Sequence, residues 1–401
     1  MNDHAPTRAA QSHHLEDTTW TKGRNAMAFV AMVGLIASVL AFLSDSRQFY
    51  ASYLVNFVFF TTIGLGAMLF VAIQHLTGSA WSVTVRRQME NLMATTPVSA
   101  VLFLVILAGM PVLYEWSHPE FYSADPVMQF KMNFFNKNFF VARAVIYFAV
   151  WTLLAVKLYG ASLQQEDGDS RGGSRKAEWW SGPAVALLFV TATMAGVDWV
   201  MSLSAHWYST IFGIYVYSGG AFGFFALLIL ICLAFRKAGL LTEYITLEHY
   251  HDLGKWLFAM TIFWAYIAFS QYMLIWYANL PEETIFFKVR MEGSWKWVSA
   301  LLLIGHFIVP FLVLLTRASK RNLNVLGGAA AWCLFMHYVD IHWLVMPTIH
   351  KHDFHLSWVD AATFLLIGGF FGLAFWARLR NRSLIAIGDP RFKQGLHFHN
   401  V

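Results

Sequence analysis

Ten long apolar runs constrain this chain more than any other feature, at about 25–43, 51–74, 92–114, 138–161, 181–203, 209–235, 254–278, 295–316, 323–347 and 357–378. Most reach the roughly 20 residues that an α-helix needs to cross about 30 Å of hydrocarbon. Inside a bilayer only helices and closed barrels satisfy every backbone N–H and C=O. A barrel would alternate polarity over segments of about ten residues, and the runs are continuous instead. With 58% hydrophobic and 13% charged residues, against about a quarter charged in soluble domains, the chain reads as an all-α polytopic membrane protein with ten transmembrane helices.

The formal charge of +5 does not imply nucleic acid as a partner, because the basic residues divide by membrane side and do not gather in one patch. With both termini inside, all but eight of the 28 Lys and Arg fall on that side. The exceptions are Arg47, Lys131, Lys137, Arg143, Lys288, Arg290, Lys296 and Lys351. The acidic residues divide almost evenly, so the bias is one of Lys and Arg, the quantity that sets orientation. The first apolar run is too long and wrongly flanked for a cleaved signal peptide and is read as a retained span. Cys232 and Cys333 both lie in apolar runs, which excludes a disulfide framework or a Cys-ligated cluster. Ser162 to Glu178, rich in Gln, Asp, Gly and Ser, reads as a flexible polar linker.

Ionisable residues inside these runs need a partner or a function. Asp198 and Asp340 each fall near the outer end of an apolar run, Arg143 is the obvious positive partner for Asp198, and His337 lies three positions before Asp340 on the same helix face. Asn56, Tyr215, Tyr217, Gln271 and Tyr272 lie at similar depth, and His306 is deeper. Together they could bind a quinol head by its two oxygens and take its protons; buried pairs that only hold helices together are the plainer reading. A haem b would need axial histidines at matched depth, for which His306 with His337 is the one candidate pair. The His350 to His355 loop and the His397 and His399 tail read as solvated, so no metal site is expected. Phosphate-loop, nucleophile-elbow and zinc-protease motifs are absent.

A faint repeat lays spans two to five on spans six to nine, bringing Met194-Ala-Gly-Val-Asp198 beside Met336-His-Tyr-Val-Asp340. Being four helices apart, the copies would keep the same orientation, a parallel repeat. The resulting division is 1–50 for the N-terminus and peripheral helix one, 51–207 and 208–348 for two four-helix bundles, and 349–401 for an outer loop, peripheral helix ten and the tail. A secondary transporter would require Gly or Pro breaks at matched midplane positions, and Gly219-Gly220 and Gly327-Gly328 are not matched.

Three segments carry a family resemblance: Asp198-Trp-Val-Met-Ser-Leu, His206-Trp-Tyr-Ser-Thr-Ile-Phe-Gly213, and Phe269-Ser-Gln-Tyr-Met-Leu-Ile-Trp-Tyr-Ala-Asn-Leu-Pro-Glu-Glu283. The chain resembles, over about 25–378, the F-subunit family of bacterial alternative complex III, a quinol:cytochrome c oxidoreductase. That family is similar to the NrfD-like membrane subunits of polysulfide reductase. Ser204-Ala205 departs from the pattern, in which an acidic residue and proline often precede the histidine. The resemblance implies two four-helix bundles with a peripheral helix at each end, in a bacterial cytoplasmic (inner) membrane with both termini cytoplasmic. It also implies a respiratory-chain subunit acting as scaffold and proton conduit, with Asp198, His206, Gln271 and Tyr272 inside the matched motifs. No haem is implied in this chain: haem c and iron–sulfur clusters belong to partner subunits, and the homologous NrfD-like sibling, adjacent to the iron–sulfur protein, is the better-supported site for the quinone or menaquinone. A purely structural membrane anchor and a secondary transporter are the alternatives.

Overall fold

Each apolar run forms one long helix in the structure, a computed structural model that describes residues 13–123 and 126–400. In chain order the spans are α1 (Asp17–Ser44), α2 (Ser46–Leu76), α3 (Val83–Ala108), α4 (Lys137–Glu166), α5 (Ser170–Trp199), α6 (Phe212–Lys237), α7 (Leu247–Ala278), α8 (Trp295–Leu315), α9 (Leu323–Val345) and α10 (Trp358–Arg378). No strand occurs among the described residues. Local chemistry sets the boundaries. Asp45 accepts the Gln48 N–H at 3.0 Å to start α2, and a Ser357–Asp360 capping box starts α10. At the end of α7, Asn279 takes a left-handed φ of 48° before Pro281.

α2 is apolar on every side and buried almost throughout, packing against α3, α5, α6, α9 and α10. Helices α2–α5 pack among themselves, as do α6–α9, and the two groups meet along α2 and α6. The peripheral helices do not flank the molecule separately: α1 and α10 lie along one another, and α10 also packs on α2. Gly34 makes this approach possible, since a Cβ there would lie 2.2 Å from the backbone nitrogen of Leu366.

Two expectations need correction. The segment 162–179 is not a flexible linker: α4 runs to Glu166 and α5 begins at Ser170, with Asp169 capping Gly172 at 2.9 Å. Its polar side chains make local bonds such as Lys176 to Gln164, 2.7 Å, which hold a tight helical turn-around. The third span also starts earlier than its hydropathy suggests. Residues Val83–Met93 are helical and wholly buried although they include Arg86, Arg87 and Glu90, which pair with one another and with Glu166 and Asp389.

The first described residues meet the segment after α10, where the Leu384 N–H donates to the His13 carbonyl at 2.8 Å. After α10 the chain folds back beneath the spans and buries Leu384, Ile385 and Ala386.

Candidate functional site

The two acids singled out by sequence sit in different chemical settings. Asp198, near the end of α5, receives Arg143 Nε on Oδ2 and Nη2 on Oδ1, both at 2.8 Å, and the Tyr147 hydroxyl on Oδ2 at 2.7 Å. Arg143 and Tyr147 are one turn apart on α4, so both face the same partner. The guanidinium also donates to the Phe134 carbonyl at 3.1 Å and lies 4.0 and 4.3 Å from the rings of Phe134 and Phe139. This is a bidentate, desolvated and well-satisfied ion pair. It fixes α4 to α5 and leaves Asp198 little freedom to exchange a proton.

Asp340, in the matching part of α9, has no such counter-ion: among the described residues no Lys or Arg pairs with it. Its Oδ1 accepts the Tyr215 hydroxyl at 2.5 Å from α6, and its Oδ2 accepts Trp264 Nε1 at 3.0 Å from α7. Two histidines complete the cluster. His306, His337 and Asp340 are all buried, and each offers one ligating atom within 4.8 Å of the others. All four imidazole nitrogens lack a hydrogen-bond partner. Leaving a buried polar group unpaired costs roughly 1–3 kcal/mol, so the cluster is built at an energetic loss unless a proton, water or ligand occupies it.

The backbone holds these rings in place. Residues Leu302–Ile308 of α8 form a π-helical stretch, a distortion frequent at functional sites. It sets the His306 ring between Trp264 and Phe222, at centroid distances of 3.7 and 4.4 Å. His337 lies against Phe59 and occupies the space that Gly223 leaves open on α6, where a Cβ would be 2.5 Å from His337 Cδ2. The imidazole and carboxylate types suit a transition metal, and each Asp340 oxygen keeps a lone pair beyond the one donor it accepts.

The remaining sequence candidates lie elsewhere. Gln271 is buried with its Oε1 unpartnered, whereas Tyr272 faces outward and packs edge-on to Phe287. His206 is exposed in the α5–α6 connection beside Phe121. Tyr217 donates to the Leu65 carbonyl at 3.1 Å, and Asn56 donates to Thr363 at 2.9 Å and ties α2 to α10. The loop expected to be solvated is partly built in: a ring nitrogen of His350 lies 2.6 Å from Gln48 Oε1, and the Ser294 N–H donates to the His352 carbonyl at 3.1 Å.

Sequence reading missed Tyr147, Trp264 and Asp360. Tyr147 was discoverable as the position one turn after Arg143. Trp264 was hidden because one indole N–H in an aromatic-rich span carries no pattern. Asp360 receives the Ser52 hydroxyl at 2.6 Å, with His342 Nε2 at 3.9 Å; in sequence it reads only as a helix cap.

Fold and site together define a class, an all-α multi-pass membrane protein whose spans carry the closed Arg143–Asp198 ion pair and the His306–His337–Asp340 cluster. No protein-family model matches the chain, and no curated protein matches it.

Proposed function

We propose that this chain is an integral membrane subunit of a quinol:cytochrome c oxidoreductase of the alternative complex III type, and that Asp340 is its proton-exchanging group. The observation that carries the reading is the Asp340 cluster: an acid without a counter-ion, two hydrogen-bond donors on its oxygens, and two imidazoles with four unpartnered nitrogens. Intramembrane ionisable groups of this kind mark proton relays more often than packing. Tyr215 and Trp264 hold the carboxylate, and His306 and His337 are positioned to take or give its proton. In this reading quinone or menaquinone is the small-molecule partner. Haem c and iron–sulfur clusters reside in the other subunits of a bacterial inner-membrane complex, which include an NrfD-like sibling.

The Asp198–Arg143 pair favours a second, structural role for the first bundle, because a bidentate pair sealed by Tyr147 resembles a helix clamp. A transporter is less well supported. The helix irregularities at Ala94–Thr95 in α3 and at Leu302–Ile308 in α8 do not correspond when α2–α5 are laid on α6–α9.

The test is Asp340→Asn and Asp198→Asn in the complex purified from membranes and reconstituted into liposomes. General acid–base groups contribute roughly 10²–10⁴-fold. Asp340→Asn is therefore expected to lower quinol:cytochrome c turnover or proton release per electron by at least about tenfold while the complex stays assembled. Asp198→Asn is expected to weaken assembly instead. Turnover and coupling unchanged in Asp340→Asn would sink the proton role.

A further inference from the structure

Three buried side chains converge in the second bundle: His306 on α8, and His337 and Asp340 on one face of α9, each offering a ligating atom within 4.8 Å of the others. Glycine keeps the space beside them open. A Cβ at Gly219 on α6 would lie 3.1 Å from His337 Nδ1 and 3.4 Å from Asp340 Oδ2, so both ligands border the place where a side chain is missing. One turn further on, a Cβ at Gly223 would lie 2.5 Å from His337 Cδ2.

Two deficits decide what fits there. The first is charge: among the described residues no Lys or Arg pairs with the buried Asp340, whose oxygens accept only the Tyr215 hydroxyl and Trp264 Nε1. The second is bonding, because all four nitrogens of His306 and His337 lack a partner. A water would bond one nitrogen of each ring but brings no charge. A proton on Asp340 would remove the charge but leave both rings unpaired. A metal cation answers both deficits, taking a lone pair from each ring and lying against the carboxylate. The donor types narrow the choice of ion. Mg²⁺ and Ca²⁺ take oxygen ligands, whereas two imidazoles with one carboxylate suit Zn²⁺ and its transition-metal neighbours, with one position left open. Bonds of about 2.0–2.1 Å in a tetrahedral arrangement bring ligand atoms to roughly 3.4 Å of one another, so the three side chains have to draw together. His306 can do so by sliding in its own plane, since Trp264 and Phe222 stack on the ring at 24° and 25° and leave its edge free to move.

We propose that His306, His337 and Asp340 form a buried binding site for a divalent transition metal of the zinc type. The cluster is the one assigned above to proton exchange, but metal binding stands on the ligand set and does not need the quinol reading. Where that reading also holds, the ion and the exchanging proton are alternative occupants of Asp340. The ion would tie α8 to α9 next to the π-helical stretch that carries His306.

The test uses the full chain purified in detergent from membranes of cells grown with added Zn²⁺, the probe. All three ligands are buried, so the ion has to enter as the helices assemble. After dialysis against a weak chelator, about one zinc per chain is expected to remain. X-ray absorption on the wild type, which needs no variant, should show two imidazoles and no sulfur around it. Outer-shell partners alone are worth about 10–100-fold in metal affinity, so His337→Gln, which removes a ligand, should retain at least about tenfold less zinc. Gly219→Ala keeps all three ligands but puts a methyl beside two of them, and it should lose zinc as well. The double variant His352→Ala with His355→Ala, in the outer loop, should keep it. Zinc that survives His337→Gln and Gly219→Ala but leaves with the outer-loop histidines would show surface binding only and overturn the proposal. A wild type that holds no zinc, while Asp340→Asn still impairs turnover, would overturn the metal site and leave the proton role standing. Zinc held by the wild type, with turnover unimpaired in Asp340→Asn, would support the metal site and remove the proton role.

Discussion

At the residue scale, the two intramembrane acids differ in what their loss would leave behind. Truncating Arg143 to Ala strands a buried carboxylate, and breaking one partner of a buried ion pair costs about 3–5 kcal/mol. Replacing both partners with apolar residues, Arg143→Met with Asp198→Leu, is expected to be close to neutral by the same reasoning. A double-mutant cycle on thermal unfolding of the detergent-solubilised chain measures the difference; equal losses in the single and the double variant would show that the pair is not the clamp described. Asp340→Asn behaves differently. The amide keeps an oxygen for Tyr215, loses the Trp264 hydrogen bond, and turns an N–H₂ toward imidazole nitrogens that have no partner. One hydrogen bond is worth about 1 kcal/mol, so a melting temperature within a few degrees of wild type is expected. A functional defect in that variant would then reflect the lost proton site and not unfolding.

At the scale of helices, the site depends on backbone shape as much as on its side chains. Gly223→Ala on α6 would place a methyl 2.5 Å from His337 Cδ2, so the ring has to turn. Overpacking of this kind costs about 1–3 kcal/mol, and the ¹⁵N signals of His337 should move while those of His350, in the outer loop, stay fixed. Unmoved His337 signals would mean that α6 yields and the ring does not. This dependence explains why the sequence showed so much of the fold and less of the site. The spans were legible because each is a continuous apolar run, and Arg143 was identifiable as the partner of Asp198 because it was the one cation at that depth. The π-helical stretch at His306 was not legible, since a shifted helix repeat leaves composition unchanged. The pairing of α1 with α10 was equally silent, being fixed by a backbone approach at Gly34. The first turns of α3 were obscured for a different reason: Arg86, Arg87 and Glu90 lower the local hydropathy, and only their mutual pairing lets them be buried.

At the scale of the whole molecule, the face onto which the segment after α10 folds is sealed by residues far apart in sequence. The Arg86 Nη2 donates to Asp389 at 2.6 Å, Gln88 Nε2 to the Leu384 carbonyl at 2.7 Å, and the Ser383 N–H to Glu166 at 3.1 Å. Asn400 Nδ2 reaches the Glu248 carbonyl at 3.1 Å, so the tail spans both helical groups. Burial alone would raise the Asp389 carboxyl; the Arg86 and Arg391 guanidinium groups and the Arg391 N–H outweigh it and hold the group below its ordinary range. A carboxyl depressed in the fold stabilises it fully above its unfolded value, about 3.9. That contribution is lost as pH falls through the lower folded value. The docked tail is therefore expected to keep its protection from hydrogen exchange between pH 5 and 7 and to lose it below about pH 4. Asp389→Asn should show the loss already at neutral pH, by up to about 3 kcal/mol, because Arg86 retains only Glu90 as a charged partner. Exchange over residues 383–395 that is the same in both proteins at neutral pH, and that stays unchanged in the wild type below about pH 4, would mean that apolar burial of Leu384 and Ile385 alone holds the tail in place.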